Sequence, residues 1–220
     1  MSASLSLIHE VREPSAPSGG PPPLLLLLHG LGSDEGDLLG LAPELGGSFL
    51  CVSARGPYAL GPGAFAWYHV GFGPEGPTIR PEEAEASRLG LIRFIDELVE
   101  AYGADAGRVY LMGFSQGAIM SLGVALTRPD KPAGVVAMSG RLLPELLPRL
   151  AEGERLVGLP LFVAHGTMDA VIPIADGRDA ARRLKEMRTD LDYREYPMGH
   201  EISGASLADA AAWLGKRLEK

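Results

Sequence analysis

Short apolar runs bounded by turn residues alternate along this chain with longer stretches whose apolar positions recur at helical spacing. The most compact run is Leu24–Leu28, five leucines set between Pro21-Pro22-Pro23 and His29-Gly30-Leu31-Gly32. A continuous apolar run of this length, closed by breakers, is the pattern of a strand covered on both faces. It is too short for a membrane-spanning helix, which needs about 20 apolar residues. It also falls short of the apolar core of a secretion signal, about 7 to 15 residues behind a basic start.

Further strands are expected at residues 49–54, 108–114, 133–138, 159–164 and 191–196, with an edge strand at 5–11. Ser33 is placed to cap a helix over 34–45, with acidic residues in its first turn. Pro81 opens a helix whose Leu91, Phe94, Ile95, Leu98 and Tyr102 form one face before Gly103. Other helices are expected over 116–127, 142–152, 174–188 and 205–218, the last with Leu207, Ala211, Leu214 and Leu218 on one side. Residues 13–23 form a Pro/Gly/Ser lead-in, and residues 56–77 a long aromatic-bearing loop of the kind that is functional or disordered.

Strands alternating with helices call for right-handed crossovers and a mainly parallel sheet with helices on both faces. The expected fold is therefore α/β, in one domain spanning residues 1–220. A chain of 220 residues with 46% apolar content can bury such a core without metal or disulfide support. A formal charge of −8 argues against nucleic acid as a partner. Cys51 is the lone cysteine and cannot form an internal disulfide, which fits a reducing cytoplasm. No zinc-ligand pattern is present, and neither metal nor organic cofactor is expected.

Gly113-Phe114-Ser115-Gln116-Gly117 matches G-x-S-x-G, the pattern of a nucleophile elbow, a sharp strand-to-helix turn that raises a serine hydroxyl above the sheet. The pattern arises easily by chance in a chain with 29 glycines, so its context decides. That context is an apolar strand before it and a helix after it, and the flanking glycines answer a steric demand of the turn. A serine hydroxyl needs a hydrogen-bonded base, and the base needs an acid to orient it.

In α/β-hydrolase chain order, serine, acid, histidine, Asp169 and His200 meet the requirement on loops after later strands. Capping of the following helix is the structural alternative for Asp169, and an exposed loop histidine that for His200. Asp176 and Asp179 compete as acids, but both fall in the expected helix, where solvation explains them. His29-Gly30-Leu31-Gly32 follows the leucine strand, where the Leu31 N–H can join the Gln116 N–H in an oxyanion hole. An ordinary strand-to-helix turn is the competing reading, and His29 is read as bonding within its loop.

HGLG, GFSQGA, AHGTMD and GHEIS, in that order, resemble the small carboxylesterase and acyl-protein thioesterase family of α/β hydrolases over roughly residues 24–218. The resemblance implies a compact α/β-hydrolase fold without a large cap domain, with Ser115, Asp169 and His200 as a triad and Leu31 and Gln116 as oxyanion donors. It implies a small-molecule ester substrate, with acyl thioesters or lysophospholipids as alternatives, acting without cofactor. The segment carrying Trp67 looks like the family's tryptophan-bearing loop near the acyl site. Phe65, Trp67, Val171 and Ile172 are the apolar pocket candidates, core packing being the other reading of each. Two alternatives stand beside the esterase: a fold-sharing protein that binds without turnover, and a dienelactone-hydrolase-like enzyme, which would carry cysteine at the elbow. No amphipathic lid or basic interfacial helix marks membrane insertion. A monomer or homodimer is expected.

Overall fold

The leucines of residues 24–28 divide between the two faces of one sheet. The computed structural model describes residues 5–16, 19–73 and 76–219. Its first part runs through β1 (His9–Arg12), β2 (Leu24–Leu28), β3 (Leu50–Ala54), β4 (Tyr58–Gly61), β5 (Ala64–Ala66), β6 (Val70–Gly73), β7 (Gly76–Ile79) and α1 (Pro81–Tyr102). There follow β8 (Val109–Phe114), α2 (Gln116–Thr127), β9 (Gly134–Met138), α3 (Gly153–Leu156), β10 (Pro160–Gly166), α4 (Ile174–Glu186), β11 (Asp190–Tyr196) and α5 (Gly204–Leu218).

Seven strands join in the order β1-β3-β2-β8-β9-β10-β11. All neighbours are parallel except β1, which runs antiparallel to β3. Successive side chains of a strand point to opposite faces. Leu24, Leu26 and Leu28 accordingly pack with Leu91, Phe94 and Leu98 of α1 and with most of α2. Leu25 and Leu27 pack on the other side with Leu207, Trp213 and Leu214 of α5. All five leucines are 0% exposed, and each contributes about 1.5–3 kcal/mol by leaving water. No position of β2 can therefore turn polar cheaply.

From β2 the chain moves outward to β3, whereas β8 returns on the other side of β2. The direction of winding reverses between these two strands, and such a reversal opens a crevice beyond their C-terminal ends where ligands bind. Leu28 is level with Gly113 in this pair, so the loop after β2 and the turn after β8 emerge side by side.

Four expectations need correction. The helix over 34–45 is a 3-10 helix at Leu38–Glu44, and no side chain caps it. The Asp34 carboxylate instead accepts the Gly36 N–H in a local turn, and Ser33 pairs with Phe65, so the chain stays irregular until residue 38. The helix over 142–152 is a 3-10 segment at Pro144–Arg149 followed by the one-turn α3. Pro148 cannot donate to a continuous α-helical ladder. The 56–77 segment is two hairpins, β4 with β5 and β6 with β7, rather than an unstructured loop. The edge strand begins at His9 rather than at residue 5. Residues 17 and 18 of the lead-in, and 74 and 75 of the second hairpin, lie outside the described residues.

Candidate active site

Ser115 is the single residue between β8 and α2, and its backbone has φ 54° and ψ −117°. A side-chain-bearing residue reaches this region only when its surroundings enforce it, at a cost of about 1–3 kcal/mol. The enforcement is visible: the Ser115 N–H donates to the Met138 carbonyl at 2.9 Å, and its carbonyl accepts from the Ile119 N–H at 3.1 Å. Gly113 and Gly117 let the turn close. A Cβ on Gly113 would strike the backbone of Gly117, and one on Gly117 would strike the carbonyls of Leu28 and His29.

The Ser115 hydroxyl lies 2.8 Å from His200 Nε2, and His200 Nδ1 lies 2.7 Å from Asp169 Oδ2. The network assigns the tautomer: Nδ1–H donates to the carboxylate and Nε2 accepts from the serine. Asp169 Oδ1 accepts the N–H groups of Val171 and Ile172, both at 2.9 Å. One carboxylate oxygen thus anchors the loop after β10 and the other orients the imidazole. His165 lies beneath, with Nε2 donating to the Ile172 carbonyl at 2.8 Å and standing 3.5 Å from Asp169 Oδ2. The Phe114 ring packs against the His200 imidazole, centroids 4.9 Å apart. This arrangement can withdraw a proton from a serine hydroxyl and return it to a leaving group.

His29 is fully buried. Its Nδ1–H donates to the Gly30 carbonyl at 2.7 Å and its Nε2 accepts the Gly56 N–H at 2.9 Å. Both bonds require the neutral ring, and burial holds its pKa below the ordinary histidine value. His29 therefore shapes the loop after β2, in which Leu31 follows. Among the described residues the Leu31 N–H has no protein acceptor. The Gln116 N–H belongs to the first turn of α2, where helix geometry leaves donors unpaired and the helix dipole favours negative charge.

Trp67 and Phe65 do not line the pocket, contrary to expectation. Trp67 is 0% exposed; its indole N–H donates to the His29 carbonyl at 3.0 Å and its backbone N–H to Gln116 Oε1 at 2.7 Å. Gln116 Nε2 completes the clasp by donating to the Tyr68 carbonyl at 2.8 Å. Phe65 exchanges backbone hydrogen bonds with Gly32 and Ser33 and lies beneath the Arg55 guanidinium. These two aromatics fasten the β4–β5 hairpin to the loop after β2 and to the elbow.

The pocket beside Ser115 has a volume of about 500 Å³. Val171 and Ile172 line it as expected, as do Leu31, Gln116, Ser115 and His200. Residues that were not pocket candidates from sequence also line it: Tyr68, Val70 and Ile79 from the hairpin region, Ile119 from α2, and Arg141 and Asp176 as charged members. The pairing of β6 with β7 brings Val70 and Ile79 level with each other. Alternation around Gly71 and Thr78 was the only sequence signal for this wall. Among the described residues no cluster of His, Cys, Asp and Glu could hold a metal ion. No helix among them is long and apolar enough to cross a membrane.

The profile of the Phospholipase/Carboxylesterase family matches residues 9–218. The chain belongs to this family. Membership makes it an ester hydrolase of the α/β-hydrolase fold. It is 34% identical over 161 residues to Acyl-protein thioesterase 1 of Kluyveromyces lactis, covering 70% of this chain and 69% of that one. It is 28% identical over 210 residues to Acyl-protein thioesterase 1 of Eremothecium gossypii, covering 88% and 87%. The crystal structure of esterase PE8 superposes with a TM-score of 0.84 at 26% identity, over 96% of this chain and 98% of that one. The Bacillus cereus carboxylesterase structure shares the fold with a TM-score of 0.81 at 24% identity, over 96% and 95%. The dienelactone-hydrolase-like alternative required cysteine at the elbow, whereas this family member has Ser115 there. Cys51 is buried in β3, and burial pushes its thiol up to about 11.

Proposed function

We propose that this protein is a serine carboxylesterase that hydrolyses short- to medium-chain carboxylic esters through an acyl-enzyme on Ser115. Acyl thioesters and lysophospholipids are further substrates open to the same chemistry. The observation that carries the reading is the unbroken hydrogen-bond chain from the Ser115 hydroxyl through His200 to Asp169, opening on a largely apolar pocket. An intact chain of this kind favours turnover over a role in binding alone.

In the proposed reaction Ser115 Oγ attacks the ester carbonyl carbon while His200 Nε2 takes the hydroxyl proton. Asp169 stabilises the resulting imidazolium. The carbonyl oxygen becomes an oxyanion facing the Leu31 and Gln116 N–H groups, whose donation matters because charge develops there only near the transition state. Collapse breaks the bond to the leaving alcohol, which takes the proton from His200. A water then gives its proton to His200 and attacks the acyl-enzyme; His200 returns the proton to Ser115 as the carboxylic acid departs. No cofactor enters this scheme.

The test is hydrolysis of a 4-nitrophenyl ester series from acetate to decanoate. Wild type is expected to peak within short to medium chains. Ser115→Ala and His200→Ala are expected to lose at least about 10³-fold in kcat/KM. An inert wild type, or full activity in Ser115→Ala, overturns the proposal.

A further inference from the structure

The pocket beside Ser115 contains an arginine that the ester chemistry leaves unused. Arg141 sits on the loop after β9, two residues beyond Ser139, and lines the pocket half-buried. Among the described residues nearly every arginine meets a carboxylate within ion-pair distance. The exceptions are Arg12, on the β1 edge strand, and Arg141. A guanidinium carries five donors in a planar fork shaped for a carboxylate, and it does not lose its charge. On the wall of the pocket that fork has no carboxylate of the protein to pair with, so a substrate carboxylate can take the place of water on it.

Two acidic residues come from the same part of the fold, and neither takes the fork. Glu145 follows four residues later, in the 3-10 segment after β9, and Asp176 lines the same pocket from the first turn of α4. Neither forms an ion pair with Arg141. Asp176 is exposed, so solvent screens its charge more than that of half-buried Arg141. The neighbouring lining residues Tyr68, Ile119 and Ile172 are buried. Gln116 spends its amide oxygen on Trp67 and one Nε2–H on Tyr68, which holds the amide at the elbow.

We propose that Arg141 is a specificity-determining residue that selects esters bearing a second, anionic group, a carboxylate, positioned to pair with its guanidinium while the ester carbonyl sits at Ser115. The inference rests on the esterase reading and narrows it to esters that carry a free carboxylate. The carboxylate can belong to the acid part of the ester, as in a half ester of a dicarboxylic acid, or to the alcohol part. In both cases the fork makes a bidentate, charge-assisted contact that fixes the substrate along the pocket.

Three substrates separate these cases: 4-nitrophenyl hexanoate, mono-4-nitrophenyl adipate, and 4-carboxyphenyl hexanoate. The measured quantity is the ratio of kcat/KM for each anionic ester to that for 4-nitrophenyl hexanoate. One anionic ester is expected to show a ratio that falls about 10-fold or more in Arg141→Met and recovers in part in Arg141→Lys. Which of the two responds tells which side of the ester bears the carboxylate. Titration of active sites with a fluorophosphonate corrects for any misfolded fraction. A measurement on wild type alone makes the proposal independent of variant folding: raising ionic strength lowers kcat/KM for the responding anionic ester more than for the neutral one. Ratios that are the same in wild type and Arg141→Met, or the same at low and high salt, overturn the proposal and leave the esterase reading standing. Failure of wild type to hydrolyse any of the three esters overturns both.

Discussion

His29 illustrates how one buried side chain can hold a loop through its protonation state. Its two ring nitrogens bridge Gly30 and Gly56, and its carbonyl receives the Trp67 indole. Burial lowers its pKa below the ordinary value of about 6.5. The unfolded chain therefore binds this proton more readily than the folded one. Stability from His29 is complete above about pH 6.5 and is lost as pH falls through the folded value. Thermal midpoints measured from pH 8 to pH 5 are expected to decline below about 6.5, and His29→Asn to decline less steeply. The same variant leaves the Gly56 N–H without its acceptor, which costs about 1–3 kcal/mol at pH 8. An unchanged pH slope in His29→Asn would show that the ring is not held neutral. The residue was marked in the sequence as a loop-bonding histidine, but its partner Gly56 lies 27 positions away and no local pattern points to it.

At the level of elements, the tight join between β8 and α2 depends on bare backbone at Gly117. The methyl of Gly117→Ala would run into the Leu28 and His29 carbonyls, and relief requires moving α2 off β2. We expect a loss of about 3 kcal/mol or more in the urea midpoint, at the upper end of overpacking costs. Gly215, inside α5 with open space around it, is the control. Gly215→Ala is expected to gain about 0.5–1 kcal/mol, because alanine restricts the unfolded chain and favours the helix. If both variants shift stability equally, the steric account of the elbow is wrong. The long helices and the central strands were legible because their apolar periodicity is strong and their ends carry Pro or Gly. The 3-10 segments were not, since Asp34 turning onto Gly36 and Pro148 interrupting a ladder are local choices that apolar spacing does not report.

The seven-stranded sheet spans the chain from His9 to Tyr196 and places helices on both faces. β2 contributes to both clusters at once, so loosening one face exposes side chains that support the other. Calorimetry is therefore expected to give a single unfolding transition with equal calorimetric and van't Hoff enthalpies. Two resolved transitions would mean that the hairpins at 58–79 or the β10–β11 edge unfold apart from the rest. The pocket is also a property of the whole molecule. Its lining comes from the loop after β2, the second hairpin, the elbow, the loop after β9 and the loops after β10 and β11.

The strands of the main sheet, the long helices, the doubly covered leucine strand, the elbow and the positions of Ser115, Asp169 and His200 after β8, β10 and β11 were all legible in the sequence. Each rests on local backbone demands or on the spacing of apolar residues, and both are written into neighbouring positions. Tertiary structure alone decided which side chains meet in the pocket. Trp67 turned inward and Phe65 stacked beneath Arg55 because their hydrogen bonds and packing reach residues that the chain approaches only after folding. Arg141 reaches the pocket because β9 lies between β8 and β10. Only that order sets its loop beside the elbow.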